Sequence, residues 1–169
     1  MQTIPDALVQ LKAILAAGGS PTGQSAPSGV YVFPTDYGTI DGSLTLPVVI
    51  CSEFVGQENQ IVRKAAGLAR HDWQAEILYL VSRGENAYPN QGAADAEALH
   101  TGIVAWLRDT LFPEMTLNGT AERTGEGGAA GSVLFRYVVD HYQWNRTIYW
   151  GVRAALPVMQ ISRVTMAAG

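Results

Sequence analysis

Apolar positions along the chain repeat with two different periods, and the changes of period mark the elements. From Thr3 to Ala17, the residues Ile4, Ala7, Leu8, Leu11, Ile14 and Leu15 fall on one face at helical spacing. Thr3 suits an N-cap, Pro5 and Asp6 suit a first turn, and Gly18-Gly19 ends the helix by taking positive φ at little steric cost. The stripe predicts a helix lying on a sheet. Gly18 to Gly29 is polar, rich in Gly, Ser and Pro, and too long for a tight turn. Such a segment either crosses the surface or becomes ordered against a neighbour. Val30 to Phe33 reads as a short strand ended by Pro34. Thr35 to Ser43 is a turn-rich excursion in which Tyr37 and Ile40 stand as apolar anchors, either for their own domain or for a partner.

Leu44 to Val55 is the next strand, with Pro47 near its start or at an edge. Gln57 to Arg70 reads as a loop with a short edge strand at Ile61 to Ala65, carrying Arg63 and Lys64; a brief helix is the alternative. Asp72 to Arg83 alternates Trp73, Ala75, Ile77, Tyr79 and Val81 against Gln74, Glu76, Leu78 and Leu80. Apolar character on both faces late in this strand predicts a central place in the sheet. After a turn at Gly84 to Asn90, a longer helix is expected over Gln91 to Phe112. Ala96, Leu99, Ile103, Trp106, Leu107 and Thr110 line one side of it, and Pro113 stops it. Met115 to Arg123 is expected as a further strand, followed by a glycine-rich loop over Thr124 to Gly131.

The chain closes with Ser132 to Val164. β-branched and aromatic residues crowd both ends of this stretch, and polar Gln143 to Thr147 forms its middle, so it reads as a long hairpin. Val133, Phe135, Tyr137 and Val139 share one face of the first strand. Ile148, Trp150, Val152, Ala154, Leu156 and Val158 share one face of the second, with Tyr149, Gly151, Arg153 and Met159 opposite. So apolar a hairpin needs a covering layer. The order of elements predicts an α+β fold: a mostly antiparallel sheet, two helices on one face, and a long C-terminal hairpin, all within one domain over residues 1–169.

Length agrees with one domain able to bury a core. Charged residues make up 15% of the chain, against about 25% in typical domains. A surface so short of charge is either one that another chain covers or simply that of a Gly- and Ala-rich protein. A net charge of −4 gives no basic stripe for neutralising phosphates. Cys51, the only cysteine, rules out an intrachain disulfide and sits in an apolar run as a small core residue. The opening residues lack a signal-peptide pattern, no apolar run reaches the ~18 residues of a membrane helix, and a cytoplasmic origin is expected.

Candidate chemistry is sparse. The glycine-rich loop lacks the Gly-Lys-Ser/Thr ending of a phosphate loop, and no helix start follows it. His71, His100 and His141 fall in three separate elements without paired cysteines or acids at metal spacing. Ser52, Ser132 and Ser162 lack a nucleophile-elbow context. No catalytic residue, cofactor or metal is expected, and an enzyme is not the favoured reading.

The opening helix Ile4-Pro-Asp-Ala-Leu-Val-Gln-Leu, the strand His71-Asp-Trp-Gln-Ala-Glu-Ile, the helix Ala93 to Leu111 and the strand Tyr149-Trp-Gly-Val-Arg-Ala-Ala-Leu-Pro-Val are similar to the tail terminator (tail completion) proteins of long-tailed bacteriophages. The resemblance covers roughly Ile4 to Ile161, and its motifs are patterns of hydrophobicity and element order. It implies a virion protein of the tail and neck, assembled in the host cytoplasm. Such a protein forms a homo-oligomeric ring, usually of six, on the head-proximal end of the tail tube. The ring ends tube polymerisation, meets the head connector or stopper protein, and lets DNA pass without specific binding. On that expectation Tyr37, Ile40, Arg63, Lys64 and Arg123 are the candidate interface residues, and Glu122 and Glu126 the candidate lining of an acidic channel. A head–tail connector or head-completion protein of related fold is the alternative, and a small enzyme or ligand-binding domain is a third class.

Overall fold

The structure is a computed structural model that describes residues 3–40, 44–54, 60–65, 67–83, 98–125 and 134–163. Within these, the side chains of 60, 62–65, 100 and 163 are not described. It shows an α+β fold: one seven-stranded, largely antiparallel sheet with two helices packed on one face and a long C-terminal hairpin. In chain order the elements are α1 (Ile4–Ala17), β1 (Gly29–Val32), the single-turn α2 (Tyr37–Ile40), β2 (Val48–Glu53), β3 (Gln60–Ala65) and β4 (Leu68–Arg83). Then come a π-helical turn (His100–Val104) leading into α3 (Ala105–Leu111), a 3-10 turn (Phe112–Glu114), β5 (Arg123–Thr124), β6 (Arg136–Trp144) and β7 (Thr147–Arg163).

The two longest strands, β4 and β7, lie side by side and carry the others. β2 pairs with β4 over Ala75 to Leu80, and β3 pairs with it over Leu68 to Asp72. On the far side of β7, β6 pairs over Thr147 to Ala155, and β5 over Val158 and Met159. β1 lies parallel to β2, and every other pair is antiparallel. The central position predicted for the strand Asp72 to Arg83 is therefore right, although β4 begins earlier, at Leu68. The short edge strand expected at Ile61 to Ala65 is β3.

Alternation sorts the side chains of the central strands onto two faces. Trp73, Ala75, Ile77 and Tyr79 of β4 join Val152, Ala154, Leu156 and Val158 of β7 under α1 and α3. The helices meet them with Leu8, Leu11, Leu15, Ile103, Leu107 and Leu111. Leu78, Leu80 and Tyr149 point the other way and build a smaller cluster with Val48, Ile50, Leu44 and Ile40 of the α2 segment. The sheet thus has a helical face and a reverse face, and among the described residues the reverse face is covered at one end, by the α2 segment.

Local chemistry accounts for the ends of these elements. The Thr3 hydroxyl accepts from the Asp6 amide at 3.2 Å and caps α1. The β6–β7 turn places Asn145 and Arg146 at φ of 44° and 67°, which is the two-residue hairpin geometry that matches strand twist. Trp106 of α3 donates its indole N–H to the Gly18 carbonyl at 2.8 Å, and Tyr79 donates to the Ser25 carbonyl at 3.4 Å. A Cβ on Gly102 would come within 2.7 Å of the Thr22 carbonyl oxygen, so the Gly18 to Gly29 segment rests directly on the π-turn. The segment is ordered against its own chain.

Two expectations need correction. Met115 to Arg123 is not a strand: it is a series of turns, in which Leu117, Asn118 and Gly119 take φ of 46°, 54° and 83°. Leu117 is buried, so its place in the core holds the turn in that conformation. Only Arg123–Thr124 is strand, which also removes Thr124 from the expected glycine-rich loop. Gly125 of that loop donates to the Pro157 carbonyl at 2.8 Å; its remainder from Glu126, the turn at Gly84 to Asn90 and the first part of the predicted second helix lie outside the described residues. The described end of that helix stops at Leu111, and Pro113 falls in the 3-10 turn that follows.

Candidate assembly surfaces

The candidate residues fall into two groups at opposite ends of the sheet. Arg63 and Lys64 lie on β3, level with the start of β4 and the last residues of β7. Glu122 and Arg123 sit near the same level on the other side of β7, with the Glu122 amide donating to the Met159 carbonyl at 2.8 Å. Tyr37 and Ile40 lie at the far end, by the β6–β7 turn. Glu126 lies outside the described residues.

Ile40 anchors into its own domain rather than standing on the surface. It is 1% exposed within the smaller apolar cluster. Its carbonyl accepts from the Trp144 indole at 3.2 Å and from the Asn145 amide at 3.4 Å. Burial of an isoleucine contributes about 1.5–3 kcal/mol, which would be lost on turning the side chain out to a partner. The adjacent Tyr37 is 43% exposed and packs edge-on to Phe33, with centroids 5.7 Å apart. Lys12 of α1 donates to Asp36 at 2.8 Å, and the Val32 amide does the same, which fixes the start of the α2 segment. The lysine contact and then the amide hold the Asp36 carboxyl below its usual range. Arg123 is half-buried, and its Nε is buried without a hydrogen-bond partner among the described residues, as is the Thr124 hydroxyl.

Sequence reasoning missed several surface features. Ile61 on β3 is 73% exposed, and no residue from Leu68 to Asp72 is buried. On β4 the core begins at Trp73, so the end of the sheet formed by β3, the start of β4 and the last residues of β7 reaches past it. Edge strand β6 exposes Tyr137 and Val138 at 40% and 49%. Between β6 and α3 runs a groove of about 380 Å³ lined by Val104, Ala105, Arg108, Leu134, Phe135 and Tyr137. The alternation of β6 was legible, but exposure at an edge depends on which strand lies beside it.

On the reverse face the Arg153 guanidinium lies between two rings, 5.7 Å from Phe54 and 5.5 Å from Tyr142. Burial raises the Glu76 carboxyl above its ordinary value, and the Arg153 charge partly offsets this. Burial also pushes the Tyr142 phenol up to about 12.

Among the described residues no three His, Cys, Asp or Glu side chains come together as a metal site. Nor is any described helix long and apolar enough to cross a membrane. A cavity of about 630 Å³ is an open groove between the end of α1 and α3, lined by Trp106, Asp109, Glu114 and Asn118 among others. Neither the models of known protein families nor the curated proteins yield a match to this chain.

Proposed function

We propose that this chain is a ring-forming structural protein of the phage tail, a tail terminator that ends tube growth and joins the tube to the head. The reading starts from the resemblance in element order and hydrophobic pattern. One observation carries it further: the sheet has unlike edges on opposite sides, β1 and β3 with exposed Ile61 on one, and β5 and β6 with exposed Tyr137 and Val138 on the other. A closed ring repeats one head-to-tail contact between two different surfaces, whereas a two-fold dimer needs one self-complementary surface. Two unlike edges on opposite sides suit the ring.

In this reading one end of the ring covers the tail tube subunits and the other presents a surface to the head connector. Glu122, exposed on the turn before β5, contributes acidic lining to a channel that DNA passes without binding. Reversal of Glu122 and Glu126 to Lys is expected to hinder DNA passage while leaving the ring intact.

The deciding experiment is the solution mass of the purified protein, with negative-stain images, alone and with tail tubes. A ring of about six copies, or a monomer that becomes one on tube ends and halts their growth, is expected. A strict monomer that ignores tubes would overturn the reading, and saturable binding of a small molecule would redirect it to a ligand-binding domain. Rings that bind a head connector but leave tube growth unchanged would identify a neck protein instead.

A further inference from the structure

We propose that copies of this chain stand side by side with their strands along the ring axis, Ile61 of one copy packing against Phe112 of the next. This rests on the ring reading and gives it a specific contact. The two are the most exposed large apolar side chains among the described residues, at 73% and 65%. They lie on opposite flanks of the molecule, so the contact is head-to-tail, as a closed ring requires.

Level and face agree. Ile61 stands opposite His71 of β4, and His71 opposite Gln160 of β7. Residues directly opposite one another share a face, and the Gln160 amide reaches the Thr3 carbonyl at the start of α1. Ile61 is therefore on the helical side of the sheet. Across β7, β5 stands opposite Val158 and Met159, within two residues of the same level. The Thr124 amide of β5 donates to the Met115 carbonyl at 2.7 Å, which holds the turn after α3 over that flank. Arg108 lines the groove beside β6, and Phe112, one helical turn on, faces the same way. Both line a hollow of about 360 Å³ with Asp109 and Pro113. Two flanks at one level and on one side of the sheet meet after rotation about an axis along the strands, with no shift in height.

The outer strands leave room for this contact. β1 stands one strand further out than β3, level with Tyr137 to Asp140 of β6. In copies at one height β1 faces β6, so the space between β3 and β5 is wider by one strand, about 5 Å. That width suits side chains rather than backbone pairing. The outer edge of β1 is itself capped: the Val32 amide donates to the Asp36 carboxylate at 2.8 Å, and its carbonyl accepts from the Asp36 amide at 2.6 Å.

Charge agrees as well. The end of the sheet around Ile61 carries Arg63, Lys64, Arg70 and Arg163 against one acid, Asp72, in a chain with 11 lysines and arginines to 15 acids. The segment around Phe112 carries Asp109, Glu114 and Glu122, and Arg108 beside them is bound to Asp109 at 2.7 Å. A basic rim and an acidic rim thus meet around an apolar centre, an arrangement that fixes partner and register.

The test uses the full chain, with tail tubes present if rings need them. Ile61→Cys and Phe112→Cys in one chain, treated with a short bismaleimide, are expected to give a ladder of covalent multimers, and each single variant none. Native Cys51 is fully buried and does not compete. A covalent dimer from either single variant would mean a two-fold contact and would overturn the proposal, as would intact rings without a ladder. The sign of charge gives a second readout. Both positions are exposed, so substitution should leave the melting temperature unchanged. Rings should be lost from Ile61→Glu and kept by Ile61→Lys, and lost from Phe112→Lys and kept by Phe112→Glu. Intact rings from Ile61→Glu, or the same response to both signs at both positions, would overturn the contact. If those Ile61→Glu rings no longer cap tail tubes, the β3 flank meets the tube protein instead. No ring from the wild-type chain under any condition would remove the ring reading itself, which the wild-type mass shows independently of any variant.

Discussion

Gly151 and Tyr79 cross on the two central strands with no room for a side chain: a Cβ on Gly151 would collide with the Tyr79 carbonyl oxygen and press on the Leu80 backbone. The crossing lies beside the irregularity at Leu80 to Ser82, where β4 shifts register against β7. The glycine lets a strand that carries core on both faces bend without losing its partner.

Gly151→Ala should therefore be among the most damaging single-methyl substitutions in the chain. Backbone rather than a side-chain tip lies in the way, so relaxation means separating β4 from β7. A cost of about 3 kcal/mol is expected, at the upper end for overpacking. For a chain of this size that lowers the melting temperature by roughly 6–12 °C. Thermal unfolding followed by circular dichroism would measure it, and a shift under 2 °C would show that the strands yield easily.

A second prediction concerns Gln160, which is 1% exposed. Its carbonyl oxygen accepts from the Trp73 indole at 2.9 Å, and its amide nitrogen donates to the Thr3 and Thr120 carbonyls, each at 2.8 Å. One side chain thus ties the start of α1 and the turn before β5 to the sheet. Gln160→Leu keeps the bulk but strands the Trp73 donor and the Thr120 acceptor, while the Thr3 carbonyl keeps its bond from the Ala7 amide. At about 1–3 kcal/mol for a buried group left unsatisfied, a total loss of roughly 3 kcal/mol is expected. Hydrogen exchange should show the loss spread to the first turn of α1 and to residues 115–122. Loss confined to β7 would mean that water replaces the bonds.

How far the sequence could be read depended on whether local pattern or tertiary contact decides a residue's place. The hairpin β6–β7 and the helix α1 were legible because alternation and helical spacing run unbroken through them. The two-sided character of Leu78 and Leu80 marked β4 as central. Gln160 gave no sign, since its partners lie 40 to 157 residues away. Leu117 was assigned to a strand because an apolar residue among polar ones looks extended; its positive φ is imposed by the core above it. Whether Ile40 anchors its own domain or a partner was not legible, because the apolar cluster on the reverse face is assembled from distant segments. Of the candidate assembly residues, the position of Arg63 and Lys64 on an edge strand was legible. The exposure of Ile61 beside them was not, because it depends on where the core ends.

The contact between Lys12 and Asp36 makes a pH prediction for the α2 segment. Asp36 titrates below its ordinary value in the folded chain because Lys12 and the Val32 amide favour the carboxylate. Its contribution is therefore complete above the unfolded carboxyl range, near pH 4, and is lost as pH falls through the lower folded value. Asp36→Asn should cost about 1 kcal/mol at pH 7, since the ion pair is partly exposed while the amide bond is more sheltered. The difference between the two proteins should shrink as the medium is acidified below pH 4. Urea unfolding at pH 7 and pH 3 would test this, and an equal difference at both would assign the effect to packing.

Glu76 makes the opposite prediction. It lies half-buried on the reverse face, with Ser52 of β2 beside it, Arg153 of β7 diagonal to it, and Tyr142 and Asp140 of β6 beyond. Burial raises its carboxyl and Arg153 offsets only part of that rise. A raised folded value means that ionisation opposes folding, so stability is fully present below the unfolded range and declines as pH rises through the folded value. Glu76→Gln should therefore be slightly more stable than the parent at pH 7, by less than about 1 kcal/mol given the solvent around the group, and equal to it below pH 4. Should the substitution instead destabilise the chain at pH 7, the attraction to Arg153 outweighs burial. Arg153→Gln distinguishes the cases: if burial dominates, removing the guanidinium makes the benefit of Glu76→Gln larger, and if attraction dominates it removes the penalty. Paired urea titrations of the two single variants and the double variant at pH 4 and pH 7 measure this coupling directly.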